Sequence, residues 1–273
     1  MASNPLQQYF RQPKIYISLP SKGVYNAPGS VQGDVSKIAV YGMTGMDEII
    51  AKTPDALLSG ESTVKLVESC CPSIKNAWDL STLDSDLVFT AIRIATYGNM
   101  ITVSQTCVHC NERGEYEIDL GTLIDHFSKC QFDSKVVTGD LIIKVQPLTY
   151  KKKTEFAMRN FQLQQRLNQV EFLEDKEKQQ TIIQELFREL GVIQHDLYVA
   201  SVESVEVNGQ LVEERAYLNE WLQNCDKSIF DDIKAHIEKN QETWRMPKFP
   251  GKCVHCSKDI ETSIELDQSN FFV

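Results

Sequence analysis

The sequence contains the letters Cys-Val-His-Cys twice, at residues 107–110 and again at 253–256. We call these copies the first and second knuckle. The likeness extends past the cysteines, because a constant offset aligns Ile118 with Ile264 and Leu120 with Leu266. After each knuckle, apolar and polar residues alternate, which is typical of a half-buried strand. Each copy therefore predicts a cysteine-bearing turn followed by a strand, which is one half of a zinc ribbon.

Two such turns would supply a complete ligand set for zinc. Zinc prefers four soft or borderline ligands in a tetrahedron, and thiolates bind it at about 2.3 Å. Four thiolates leave no open coordination position, so the predicted site is structural rather than catalytic. We expect one Zn²⁺ per chain, held by the knuckle cysteines: Cys107, Cys110, Cys253 and Cys256.

The knuckles also admit other interpretations. They could be two reduced thiol pairs in unrelated turns, or a redox pair, which has the same C-x-x-C spacing. A thioredoxin-type pair would precede a helix, and neither knuckle precedes a helical pattern. His109 and His255 lie between ligands, and we expect both to point away from the metal. The other cysteines have no ligand spacing and are expected to be small buried hydrophobes: Cys70, Cys71, Cys130 and Cys225.

Composition excludes several classes of protein. No run of about eighteen apolar residues occurs, so no membrane-spanning helix is expected. The N-terminus lacks the apolar core of a secretion signal, so the chain is expected in a reducing cytoplasm, where eight cysteines favour metal ligands over disulfides. The net charge of -10 argues against general binding to a nucleic-acid backbone.

The pattern along the chain predicts an α+β protein: a helical N-terminal region, and a zinc-ribbon-like β unit interrupted by a largely helical insertion. Residues 84–98 form the clearest helical pattern, with Asp84 expected as the cap and Gly98 as the stop. Asn208-Gly209 is a strong hairpin signal.

We predict four segments: an extended arm at 1–40, a helical and β region with the first knuckle at 41–148, a mostly helical insertion with a β-hairpin at 149–246, and the second knuckle with a C-terminal strand at 247–273.

Motifs of catalysis are missing from the sequence. It has no Gly-rich phosphate loop, no H-E-x-x-H, no G-x-S-x-G and no kinase signature. The histidines outside the knuckles are scattered and lie beside no nucleophile pattern. We therefore expect a protein that is not an enzyme.

Several stretches resemble a known family. IYISLPSKGVY (15–25), MTGMDEIIAKTPDALLSGES (43–62), LVFTAIRIATYG (87–98), the CVHC knuckle and the terminal IELDQSNFF (264–272) are similar to the baseplate hub and hub-assembly proteins of T-even-type contractile-tail bacteriophages. The motifs lie mainly in residues 1–125 and 247–273, and the helical segment between them carries no part of the resemblance.

The resemblance implies a non-enzymatic structural or assembly component of a phage tail baseplate hub. Its expected partners are other tail and baseplate proteins, with a homo-oligomer in a symmetric assembly as a further option and no nucleic acid or membrane. Its expected location is the host cytoplasm during assembly, and the tail baseplate if the protein stays in the virion. Phe271 and Phe272 would then either pack internally or dock on a partner. The alternative function is a zinc-ribbon accessory protein of a polymerase or replication complex.

Overall fold

The computed structural model describes residues 4–52, 59–170 and 175–264. Within these ranges the chain combines helices with antiparallel strands, which confirms the predicted α+β class. The chain divides into two compact units: residues 1–131 with 244–273, and residues 132–243. The predicted insertion, 149–246, overlaps most of the second unit. The expectations for Leu266, Phe271 and Phe272 lie outside the described residues.

The first unit begins with a small sheet covered by helices. Its strands β1 and β2 pair antiparallel, and in the described part of the chain three α-helices follow them before the first knuckle. The third of these helices contacts both strands, and Val88, Ala91 and Ile92 on it are fully buried. A helix that is apolar on several sides is expected to be buried in this way. The bounds are β1 Pro13–Ile17, β2 Ile38–Tyr41, α1 Gly45–Ala51, α2 Glu61–Cys70 and α3 Thr82–Tyr97.

The N-terminal segment differs from the predicted extended arm. From Pro13 onward it is folded into the unit, because β1 pairs with β2 and Leu19 is 1% exposed. Arg11 precedes this folded part, and its guanidinium donates to Asp47 Oδ2 at 3.1 Å and to the Ser69 carbonyl at 2.7 Å. Alternation at Ile15, Ile17 and Leu19 predicted a short strand before Pro20, which corresponds to β1, and the prolines predicted an arm around it. Contacts between distant residues decide where this segment packs.

Asp84 has a different role from the predicted one. The side chain of Ser81 caps α3 by accepting from the Asp84 N–H at 3.3 Å. The fully buried Asp84 carboxylate accepts from the Ser21 N–H at 3.0 Å, from the Ser21 hydroxyl, and from Asn26 Nδ2 at 2.7 Å. Asp84 therefore holds residues 21–26 against the first turn of α3, where the helix dipole also favours a negative charge.

We predict that Asp84→Asn lowers the free energy of unfolding by about 2 kcal/mol. The new amide would place its own N–H donors against the Ser21 and Asn26 donors, so some of these buried groups would lose their acceptor. Thermal and urea unfolding of the full chain measure this. Glu48→Gln is the control, since it removes an exposed ion pair with Lys52 and should have a much smaller effect on stability. Equal effects of the two substitutions would contradict a special role for the buried carboxylate.

The other described residues of the first unit include two β-hairpins and a helix. Strands β3 (Met100–Thr106) and β4 (Arg113–Asp119) pair along seven residues each. Helix α4 (Gly121–Lys129) follows and buries Leu123 and Phe127, and it contacts α3. Strands β9 (Phe249–Lys252) and β10 (Asp259–Thr262) form the second hairpin.

The second unit is an antiparallel four-stranded sheet with helices packed on it. The strand order follows the sequence, and the Asn208-Gly209 turn joins the last two strands with φ of 51° and 77°, as the sequence predicted. A helical hairpin separates the second and third strands. The bounds are β5 Lys135–Thr138, β6 Leu141–Val145, α5 Tyr150–Val170, α6 Lys176–Ser201, β7 Val202–Val207, β8 Gln210–Val212, α7 Arg215–Asn224 and α8 Lys227–Thr243.

Two separate apolar cores stabilise this unit. One lies at the sheet and includes Ile143, Val202, Leu218 and Ile233. The other lies between α5 and α6. None of the helices in the described ranges has the length and apolarity needed to cross a membrane.

Candidate metal centre

Each knuckle is the turn of a β-hairpin, and the two turns have the same backbone structure. The first connects β3 to β4, and the second connects β9 to β10. In the first, the Cys107 N–H donates to the Glu112 carbonyl and the Asn111 N–H donates to the Cys107 carbonyl, both at 2.9 Å. In the second, the same two bonds occur at the same lengths, through the Cys253 N–H and the Ser257 N–H. The repeated letters therefore encode a repeated turn.

One residue after each knuckle adopts a left-handed conformation. Asn111 has φ of 61° and Ser257 has φ of 60°. Asparagine tolerates this region better than most residues, whereas serine is less suited to it. The turn geometry directs backbone N–H groups toward sulfur: the His109 N–H lies 3.3 Å from Cys107 Sγ, and the His255 N–H lies 3.4 Å from Cys253 Sγ.

The two turns bring the four knuckle cysteines together. Their sulfur atoms all lie within 4.8 Å of one another. Cys107 Sγ is 3.8 Å from Cys256 Sγ, and Cys110 Sγ is 3.7 Å from Cys253 Sγ. In a tetrahedron with metal–sulfur bonds of about 2.3 Å, neighbouring sulfurs lie about 3.8 Å apart. The observed spacing therefore fits a shared metal, and it is far longer than the ~2.05 Å of a disulfide.

The electrostatics of the cluster also fit a cation. Backbone N–H groups of Cys256 and His255 lower the pKa of Cys253 to about 6. The Glu112 N–H lowers the pKa of Cys110, but burial and hydrogen bonds with the other thiols outweigh it and raise this pKa to about 12. The two pKa values therefore move in opposite directions, because backbone donors favour the Cys253 thiolate whereas burial and thiol hydrogen bonds favour the neutral Cys110 thiol. A divalent cation among the four sulfurs would favour the thiolate form of all of them.

Two histidines connect the hairpins to each other. His109 Nε2 is 3.2 Å from the Asp259 carbonyl, and His255 Nε2 is 3.0 Å from the Arg113 carbonyl. A carbonyl oxygen can only accept, so both rings must carry their proton on Nε2. Neither histidine is a member of the ligand cluster, in agreement with the expectation that they point away from it. Each knuckle therefore donates to the opposite hairpin.

Other contacts close the same interface. Gln105 Nε2 donates to the Glu261 carbonyl at 3.0 Å. The Tyr116 ring packs against the buried cysteines. At Gly114 an added Cβ would lie 2.6 Å from Tyr116 Oη and 2.9 Å from Val254 Cγ2, so a larger residue would have to displace side chains of both hairpins. Sequence reasoning missed these contacts, although the repeated histidine inside both knuckles was a signal that could have indicated two equivalent roles.

The remaining cysteines form no part of the cluster. Cys70 and Cys71 are fully buried, and burial raises the pKa of Cys70 to about 12. Cys130 and Cys225 are half-buried rather than buried, and burial raises their pKa values as well. Within the described part of the chain, the knuckle cysteines are the one group of three or more His, Cys, Asp or Glu placed to share a metal.

The fold and the cluster define a class of protein: an α+β chain whose paired knuckle hairpins place four cysteines within metal-binding distance. Comparison with protein families identifies the chain more specifically. The family described as T4 bacteriophage base plate protein matches residues 38–273. The chain belongs to this family. No curated protein and no solved structure matches the chain significantly.

For a chain loaded with Zn²⁺, we predict that His109→Ala and His255→Ala each speed release of the metal to a chelator by about fivefold, the effect of losing one hydrogen bond worth about 1 kcal/mol. The corresponding His→Gln variants are the controls, because glutamine keeps a donor nitrogen at a similar reach. Stopped-flow release from a zinc-loaded chain measures the rate. The cross-hairpin role is wrong if the Gln and Ala variants release zinc at the same rate.

Proposed function

We propose that this chain is a non-enzymatic structural or assembly component of a contractile-tail baseplate hub, acting through protein contacts and stabilised by one structural Zn²⁺. The observation that carries the baseplate role is the family match over residues 38–273. It would act in the host cytoplasm during assembly and, where it is retained, in the baseplate of the virion. Its partners would be other tail and baseplate proteins.

The donor set supports zinc as the metal and a structural role for it. Four thiolates suit zinc, and they saturate its tetrahedral shell without leaving a position for water or substrate. Cys107 and Cys253 are buried, at 0% and 2% exposure, while the other two knuckle cysteines are half-buried. A site that holds two chain segments together and has no open position stabilises the fold rather than performing chemistry.

The N-terminal residues support a role in protein contacts. Residues 4–10 contain no charged side chain, and Leu6, Tyr9 and Phe10 are 61%, 77% and 57% exposed. The segment ends at Arg11, which is fixed to Asp47. Exposed aromatic residues next to a fixed anchor are suited to bury against another protein, since aromatics dominate the free energy of many interfaces.

The first test of the proposal is metal content. We expect one zinc per wild-type chain purified without chelator, measured by elemental analysis. Cys253→Ser should abolish stoichiometric zinc and increase protease cleavage within residues 247–264, because the second knuckle loses its connection to the first. The second unit should stay folded, since its cores do not include the metal.

Cys225→Ser is the matched control, because it changes a half-buried thiol outside the cluster. It should alter neither zinc content nor protease cleavage. A wild-type chain without zinc, or zinc that survives Cys253→Ser, would contradict the proposed site. Neither result would bear on the family to which the chain belongs.

The second test concerns partners. We expect the double substitution Tyr9→Ser/Phe10→Ser to weaken co-purification with the other baseplate proteins of the same phage by at least about tenfold, while the melting temperature stays within about 2 °C. Tyr217→Ser is the control, because Tyr217 is 64% exposed on α7.

Two outcomes would count against this prediction. A large fall in melting temperature would mean that the N-terminal aromatics belong to the core of the chain itself. Tight, salt-dependent retention of the wild-type chain on DNA would favour the polymerase-accessory alternative, although the net charge of -10 opposes it.

A further inference from the structure

Tyr116 lies on the side of β4 that faces the cysteine cluster. Alternate residues of a strand point to the same side, so Tyr116 shares its side with Gly114 and Ile118, which are buried. Glu115 and Glu117 point to the other side and are exposed. The ring of Tyr116 packs against the buried cysteines. The strand therefore brings a phenol hydroxyl into the contact between the two knuckle hairpins.

Gly114 leaves room for this hydroxyl beside the second knuckle. A Cβ added at Gly114 would lie 2.6 Å from Tyr116 Oη and 2.9 Å from Val254 Cγ2, so the oxygen and the valine border the same small space. Val254 follows Cys253 directly in the sequence. Burial raises the pKa of Tyr116, and the Cys253 sulfur beside it raises this pKa further. The hydroxyl is thus next to a cysteine of the cluster.

The Tyr116 hydroxyl is buried, yet it has no hydrogen-bond partner among the residues that the structure describes. A buried hydroxyl without a partner destabilises a fold, because it has lost its hydrogen bonds to water. In a native protein such a group calls for an explanation, and an ion at the site is one of them. The hydroxyl lies where a metal held by the knuckle cysteines would change the acceptors around it.

We propose that Tyr116 is a positioning residue for the metal: when the knuckle cysteines hold a divalent cation, its hydroxyl donates a hydrogen bond to the Cys253 thiolate. This inference rests on the metal site proposed above. A thiolate is a charged acceptor, and hydrogen bonds to charged groups are about twice as strong as those between neutral ones. A metal that fixes the sulfur in this form and in one position gives the buried hydroxyl the acceptor that it lacks.

The bond would strengthen the binding of the metal. Four thiolates carry more negative charge than one divalent cation neutralises, so donors directed at the sulfurs stabilise the loaded site. The His109 and His255 N–H groups already lie 3.3 and 3.4 Å from sulfurs of their own knuckles. Tyr116 would add a donor from a side chain, and from the opposite hairpin. It would therefore position the Cys253 sulfur as well as stabilise its charge.

Two structural roles for Tyr116 predict different results. If the ring only packs between the hairpins, phenylalanine should serve equally well, because it has the same ring. If the hydroxyl bonds to another group when no metal is bound, its removal should lower the stability of the metal-free chain. The proposed role predicts that the hydroxyl favours the metal-bound chain alone.

Tyr116→Phe tests the proposal, because it removes the hydroxyl and keeps the ring. The dissociation constant of the full chain for Zn²⁺, measured by competition with a chelating indicator, should rise by about tenfold. The melting temperature of the metal-free variant should equal or exceed that of the metal-free wild type, since the lost hydroxyl was buried without a partner. Tyr217→Phe is the matched control and should change neither quantity, because Tyr217 is 64% exposed on α7.

Co²⁺ provides a spectroscopic signature that packing alone would not change. It binds tetrahedral thiolate sites as Zn²⁺ does, and its bond to sulfur gives a charge-transfer absorption band. A hydrogen bond lowers the energy of the sulfur lone pairs. Its loss in Tyr116→Phe should therefore shift this band to longer wavelength, whereas Tyr217→Phe should leave the band in place.

Each contrary result has a separate meaning. Equal Zn²⁺ affinity in wild type and Tyr116→Phe, or an unchanged cobalt band, would overturn the bond to Cys253 and leave the metal site intact. A lower melting temperature of the metal-free variant would also overturn it, because the hydroxyl would then already have a partner. A wild-type chain that binds neither Zn²⁺ nor Co²⁺ would overturn the metal site itself, and this inference with it.

Discussion

The first unit depends on one constraint: two hairpins far apart in the sequence must meet at four sulfur atoms. Cys110 and Cys253 are 143 positions apart, yet their sulfurs are 3.7 Å apart. Neither hairpin is large enough to be stable alone, since an isolated two-stranded hairpin is marginal in water. Their stability comes from each other, through the thiol cluster, the two histidine bonds and the packing of Tyr116. A metal would make this mutual dependence strong.

A metal that joins residues so far apart in the sequence would restrict the unfolded chain. In the loop-entropy description this raises the free energy of unfolding by about 4–5 kcal/mol. The actual stabilisation should be smaller. His126 Nε2 lies 3.1 Å from the Arg245 carbonyl, so the chain leaves and re-enters the first unit at neighbouring points. The residues between form a compact unit with its own cores. Once that unit has folded, the loop left to close is short, and a bound metal would contribute mainly by holding the second hairpin in place.

The sequence was most informative where a short stretch determines its own structure. The two knuckles, the Asn208-Gly209 turn and the end of α3 at Gly98 each depend on a few adjacent residues, and the structure has them where they were predicted. The grouping of the four knuckle cysteines followed from a repeat, because two identical turns with matching strands indicate two halves of one structure.

Features that depend on distant residues could not be predicted in the same way. Asp84 had the spacing of a helix cap, but Ser21 and Asn26, about sixty positions earlier, provide the donors that its carboxylate accepts. The packing of residues 13–41 depends on β-pairing and on contacts with α3, which proline positions do not reveal. The ion pairs Arg159–Asp196 and Arg166–Glu189 between α5 and α6 become visible only when the register between the two helices is known.

Charge links these observations to the proposed role in assembly. A chain with a net charge of -10 resists association, so its contacts should concentrate where charge is absent. Residues 4–10 are such a surface, since they carry no charged side chain and expose Leu6, Tyr9 and Phe10. The knuckle cysteines are not part of this surface. A metal held by them would keep the second hairpin in place, and contacts with partners would be left to the exposed N-terminal residues.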